Sequence, residues 1–157
     1  MKIFYPKNTL RVAMEAADPL LANTALGRAE TGIASIKAEC LSHMDALIAR
    51  LVELDRSRDA SSAKLMLAYE AARRMIGLGA VTGYPQIDHA ASGLCDVADG
   101  LMSRGSEVWA PIAAHIDALN LMRQHELPAV AVQQLLTSLE TLKHKFAQAA
   151  ATDSARA

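Results

Sequence analysis

Apolar residues recur along most of this chain at alternating steps of three and four, the spacing that places side chains on one face of an α-helix. The first such series follows Asp18-Pro19, a typical helix start because aspartate caps the first turn and proline fits its first position. We expect this helix to run to about Asp55, with Gly27 and Gly32 dividing it into a short first piece and a long bundle member. Its predicted apolar face consists of Ile33, Ile36, Cys40, Met44, Leu47, Leu51 and Leu54.

Four further helices are predicted after a polar turn. The second runs to about Val81, the third begins near Pro85, and the fourth follows a turn in which Ser106 is the expected N-cap. Leu127-Pro128 separates the fourth helix from the fifth, because a residue before proline avoids the helical conformation. The predicted core positions are, helix by helix, Leu65, Ala68, Ala72, Met75 and Gly79; Ile87, Ala91, Leu94, Ala98 and Leu101; Val108, Ile112, His115, Leu119 and Met122; and Val132, Leu135, Leu139, Leu142 and Phe146.

Short connections between amphipathic helices favour antiparallel neighbours. We therefore predict an all-α fold, an antiparallel up-down four-helix bundle with an additional helix, over residues 18–148. Residues 1–17 are expected to form an extended N-terminal arm and residues 149–157 a flexible tail. Composition agrees with this fold, because 52% hydrophobic and only 4% aromatic residues favour helix packing over a sheet.

Charge and motif content exclude several classes of function. A net charge of −1, with no basic stretch, argues against a nucleic-acid partner. No apolar run approaches the roughly 20 residues that cross a bilayer, and the first residues lack a signal sequence, so we expect a cytoplasmic protein without membrane contact. Cys40 and Cys95 are expected to be reduced thiols. Nucleophile motifs, phosphate-binding glycine loops and zinc spacings do not occur, so no metal or cofactor is expected.

Three glycines precede Pro85, at positions where alanine would support a helix better. Gly83 is expected to end the second helix, since the following Tyr84-Pro85 disfavours its continuation. Gly77 and Gly79 are expected to lie inside that helix, where the missing side chain permits close approach of another surface.

This glycine spacing resembles that of histidine phosphotransfer (Hpt) domains. In that family a histidine is followed by a Lys-Gly pair at three and four residues, a small residue at six and a glycine at ten. Here Gly77, Gly79 and Gly83 match the frame, but Arg73 stands where the family has its histidine, and Ile76 stands where it has the lysine. Other runs that resemble the family are residues 5–10, 83–85, 91–95 and 114–119.

The resemblance implies a protein of bacterial two-component or chemotaxis signalling that binds a response-regulator receiver domain or a sensor histidine kinase. A guanidinium stays protonated and offers only hydrogen-bond donors, so Arg73 cannot carry a phosphoryl group. We therefore expect a pseudo-phosphotransferase without enzyme activity, which modulates signalling by competition or scaffolding. The expected contact residues, hereafter the outward strip, are Tyr69, Arg73, Arg74, Ile76, Gly77 and Ala80.

The residues leave alternatives open. The chain could be an active phosphotransfer protein that uses another histidine, with His89 the first candidate, or a structural helical adaptor or homodimer outside phosphorelay. The strip itself could be ordinary packing, with Tyr69 and Ile76 beneath the fifth helix and both arginines solvated surface charges of little energetic weight. His115 lies on an apolar face and is expected to be a hydrogen-bonded core or groove histidine.

Overall fold

The computed structural model describes residues 19–57 and 61–154. These residues form six helices and no strand, so the all-α class predicted from the sequence is confirmed. The predicted extended arm at residues 1–17 and the expected Asp18 cap lie outside the described residues. The helices are α1 (Pro19–Arg56), α2 (Ser62–Met75), α3 (Leu78–Thr82), α4 (Pro85–Ser103), α5 (Ala110–Gln124) and α6 (Ala129–Ser154).

The chain divides between Lys37 and Ala38 into two units, and α1 continues through that boundary. In the first unit, all side chains from Leu26 to Lys37 are exposed. Ile33 is 67% exposed and Ile36 is 58% exposed, so the prediction that these two residues belong to a buried face was wrong. Helical periodicity identifies an apolar face, but it does not tell whether another helix covers that face.

Gly27 and Gly32 do not divide α1, contrary to the prediction, because the helix is continuous from Pro19 to Arg56. A glycine inside a helix costs about 1 kcal/mol relative to alanine. That cost alone does not end a helix, which breaks when a further cause such as a proline or a competing hydrogen bond is added.

The second unit is built around α4, which packs against α2, α3, α5 and α6, while α5 also packs against α6. The C-terminal half of α1 supplies Met44, Leu47 and Leu51 to the core, as predicted. Burial of each large aliphatic side chain contributes about 1.5–3 kcal/mol relative to exposure. The largest fully buried side chains are Met44, Leu51, Leu65, Met75, Ile87, Leu94, Leu101, Ile112, Ile116, Leu119, Met122 and His115.

The start of α5 differs from the prediction. Its N-cap is Trp109 instead of Ser106, and Val108 is exposed and lies before the helix. The Trp109 indole Nε1 donates a hydrogen bond of 2.6 Å to Asp55 on α1, and Pro111 lies in the first turn, where proline suits helix initiation. Trp109 and Pro111 both follow Ser106 in the chain, so α5 begins later than the serine alone indicated.

The end of the chain is helical for longer than expected. Helix α6 begins directly after Pro128, in the segment predicted to separate the last two helices, and continues to Ser154, beyond the boundary at residue 148. Flexibility of residues 149–157 stays a prediction, and residues 155–157 lie outside the described part.

Candidate functional site

The outward strip begins on α2, which is capped at its N-terminus and buried along its inner face. At its N-terminus the Ser61 hydroxyl accepts a hydrogen bond from the Lys64 backbone N–H, and the ammonium of Lys64, a buried residue, donates to the Ser57 carbonyl at 2.8 Å. Ala68, Ala72 and Met75 are completely buried on the inner face, as the sequence predicted.

Since successive helical residues are rotated by about 100°, burial of Ala72 and Met75 turns Arg73 outward. Arg73 and Arg74 are both exposed, and neither side chain makes an ion pair or hydrogen bond within the described part of the chain. Ile76 is 46% exposed, so it is not packed beneath α6. Tyr69 is half-buried and packs against the core.

The glycine segment breaks the helix, contrary to the prediction for Gly77. Helix α2 ends at Met75, Ile76 is extended, and Gly77 has φ of 93°, in the left-handed region that favours glycine. Residues 78–82 form the separate short helix α3, which ends at Gly83, also with φ of 93°, as the sequence predicted for that glycine. Gly77 and Ala80 are exposed, but the outward strip extends over two helices and the turn between them.

The break is stabilised by Asp88, a residue that the sequence analysis missed. Its carboxylate accepts hydrogen bonds from the backbone N–H groups of Gly77 at 3.0 Å, Gly79 at 2.9 Å and Ala80 at 2.9 Å. A carboxylate is favoured at a helix start, where the N–H groups have no partner inside the helix. The available signal was an aspartate in the first turn of α4, a few residues beyond three glycines. The N–H groups that begin α3 are thus occupied by the protein's own carboxylate and do not form a free phosphate cradle.

Close approach was correctly expected at Gly79. A Cβ atom there would lie 2.5 Å from the Tyr84 carbonyl oxygen and 2.8 Å from Asp88 Oδ1. Both distances are well inside van der Waals contact, so only glycine lets α3 meet the start of α4 at this point.

Cys95, on α4, lies beneath the strip, with Sγ 3.8 Å from the Tyr69 carbonyl oxygen. Burial, with a smaller effect of Asp96, raises the pKa of Cys95 to about 11, although nearby Arg73 acts in the opposite direction. The thiol is therefore protonated at neutral pH and is a poor nucleophile. Cys40 and Cys95 are both free and half-buried, and their reduced state stays a prediction.

His89 is exposed on α4 beside a carboxylate. Its Nε2 lies 3.9 Å from Glu140 Oε1, and the Lys143 ammonium lies 2.9 Å from Glu140 Oε2 and 3.2 Å from Asp96. The hydrogen bond from Lys143 holds the pKa of Glu140 below its usual range, so the carboxylate facing His89 is negatively charged at neutral pH. A phosphoryl group on Nε2 would be repelled by that charge.

Comparison of the chain with protein-family models, curated proteins and solved structures gave no match. The described residues contain no cluster of His, Cys, Asp and Glu side chains that could hold a metal ion. None of the described helices carries an apolar stretch long enough to cross a membrane.

Proposed function

We propose that this chain is an Hpt-like protein without the phosphorylatable histidine, which binds a response-regulator receiver domain or a sensor histidine kinase through the outward strip. The observation that carries the proposal is the guanidinium of Arg73, which is exposed, has no ion-pair partner in the described part of the chain and stands at the sequence position of the family's histidine. The exposed Ile76 beside it adds an apolar contact of the kind that interfaces bury.

The chemistry of Arg73 suits binding without transfer. A guanidinium has no free lone pair for a phosphoryl group, but its planar set of donors matches a carboxylate or phosphate in bidentate fashion. Receiver domains present an acidic pocket to the histidine of an Hpt domain. Arg73 would occupy that pocket as a cation, so the protein would compete with true phosphotransfer partners or act as a scaffold in two-component or chemotaxis signalling.

The proposed arrangement of the second unit is an antiparallel up-down four-helix bundle with an additional helix, in the cytoplasm. It is supported by packing of α4 against both α2 and α5 and by the short connections at residues 104–109 and 125–128. Gly77 is exposed, and all buried residues of α2 precede the break at this glycine.

A binding screen tests the proposal. Receiver domains from one bacterial proteome would be titrated into the full chain, each with and without a beryllofluoride mimic of phospho-aspartate. We expect at least one receiver to bind with a dissociation constant in the micromolar range, typical of transient signalling contacts. If no receiver and no kinase dimerisation domain binds, the proposal is rejected.

A phosphorylation experiment separates this function from active phosphotransfer through His89. After incubation with a phosphorylated receiver or kinase, we expect no acid-labile radioactive phosphate on the chain, because Arg73 cannot accept it and His89 faces the charged Glu140. Label that is retained by the wild type and lost in His89→Gln would overturn the proposal and establish the phosphotransferase instead.

A further inference from the structure

The first unit carries an apolar face on α1 that is exposed in the described structure. Leu26, Ile33 and Ile36 are 61%, 67% and 58% exposed, respectively. Together with the exposed Ala29, they recur at steps of three, four and three, which is the a and d spacing of a two-helix coiled coil. An exposed face with this repeat is typical of a surface that pairs with another helix.

Charged residues beside this face identify the partner. Glu30 follows Ala29 and Lys37 follows Ile36, so both occupy the e position of the same heptad frame. Both side chains are exposed, and neither forms an ion pair within the described residues. Glu30 and Lys37 are one heptad apart and carry opposite charges. Two copies of the face therefore match when the glutamate of each copy lies next to the lysine of the other.

The orientation follows from these charges. In an antiparallel pair of helices, the e positions of one helix lie next to the e positions of the other. When Ile33 lies against Ile36 of a second copy, Glu30 therefore lies next to Lys37 of that copy. The two-fold axis repeats this pair on the other side. A parallel pair would bring the e positions near Ala25 and Gly32, which carry no charge. Moving the antiparallel register so that Ala29 lies against Ile33 would instead bring two copies of Glu30 together, which is unfavourable.

We propose that this face of α1 binds α1 of a second copy of the chain, antiparallel, with Ile33 against Ile36 at the centre. This register places Ala29 against Cys40 and Leu26 against His43 of the second copy. The paired segment is only about two heptads long, so the dimer should dissociate on dilution. The pairing uses no residue of the outward strip, and its tests contain no receiver domain, so either proposal can fail without the other.

Sedimentation of the full chain over a range of concentrations tests the face. We expect a monomer–dimer equilibrium in the wild type and a monomer at every concentration in Ile33→Glu and in Ile36→Glu, because a charge in either layer is buried without a partner. Ser35→Glu is the matched control, since Ser35 is exposed on the same turn but outside the face, and it should dimerise like the wild type. A monomeric wild type, or equal loss of dimer in Ser35→Glu, overturns the proposal.

Charge exchange tests the orientation. Glu30→Lys and Lys37→Glu should each weaken the dimer roughly five-fold, since each replaces two attractive pairs by two repulsive ones, and the double exchange should restore it. Cross-linking gives an independent readout in a background without Cys40 and Cys95. Ile33→Cys should form a disulfide with Ile36→Cys on a differently tagged copy, whereas self-linking of either variant, or no rescue by the double exchange, overturns the antiparallel pairing.

Discussion

At the scale of single residues, His115 is a titratable group buried in the core. The imidazole is completely buried on α5, and its Nδ1–H donates a hydrogen bond of 2.8 Å to the Pro111 carbonyl. Nε2 has no hydrogen-bond partner among the described residues and faces Gly93, where an added Cβ would lie only 3.1 Å away. Burial lowers the pKa of His115 and outweighs the opposing effects of the Pro111 bond and of Glu140. The prediction of a hydrogen-bonded core histidine is therefore confirmed.

The buried imidazole makes stability depend on pH. In the unfolded chain His115 titrates near its ordinary pKa of about 6.5, whereas the folded chain resists protonation, so the unfolded state binds more protons below about pH 6.5. The free energy of unfolding should therefore fall with decreasing pH, with a slope of at most about 1.4 kcal/mol per pH unit from this group.

Urea unfolding between about pH 7.5 and about pH 5 measures this slope. His115→Leu removes the titrating group and should flatten the dependence in that window, even if the variant is less stable throughout. His125→Gln, at an exposed histidine, is the control and should retain the wild-type slope. Indistinguishable slopes in His115→Leu and the wild type would show that another group controls the dependence.

At the scale of elements, the turn between α2 and α3 depends on one carboxylate. Asp88 accepts three backbone hydrogen bonds from the glycine segment, and no other described side chain takes that role. We expect Asp88→Ala to destabilise the protein by about 2 kcal/mol, since hydrogen bonds to a charged group contribute more than neutral ones.

Amide hydrogen exchange locates that effect. Exchange at Gly77, Gly79 and Ala80 should become faster in Asp88→Ala by more than global destabilisation explains, because those N–H groups lose their acceptor. Asp99→Ala, at an exposed aspartate on the same helix, should leave both stability and local exchange close to the wild type. Unchanged protection at Gly77 in Asp88→Ala would mean that the turn does not need the carboxylate.

The elements also show what a sequence can and cannot predict. The buried faces of α2 and α4 follow from periodicity alone, since each core position is one turn from the next. The break at Gly77 depends on a carboxylate eleven residues away in the chain, which local propensity does not include. Exposure of Ile33 was unpredictable for a related reason, because an apolar helix face looks the same in sequence whether it packs within one chain or against another.

At the scale of the whole molecule, the two candidate binding surfaces lie on different elements. The outward strip belongs to α2, α3 and the turn between them, and the face around Ile33 belongs to the first part of α1. The outward direction of Arg73 could be predicted from helix geometry, because its neighbours Ala72 and Met75 are core residues. The identity of a partner could not, since an exposed arginine beside an apolar side chain binds any surface of matching charge and shape.

The central claim is that Arg73 holds an acidic receiver pocket. Calorimetric titration of the receiver that binds in the screen, into the wild type, Arg73→Glu and Arg50→Glu, tests it most directly. Arg50 is the matched control because it is exposed on α1, outside the outward strip. We predict that Arg73→Glu weakens binding at least a hundred-fold, whereas Arg50→Glu changes it less than three-fold, because only the first reverses a charge inside the interface. Equal affinity of Arg73→Glu and the wild type would contradict the claim.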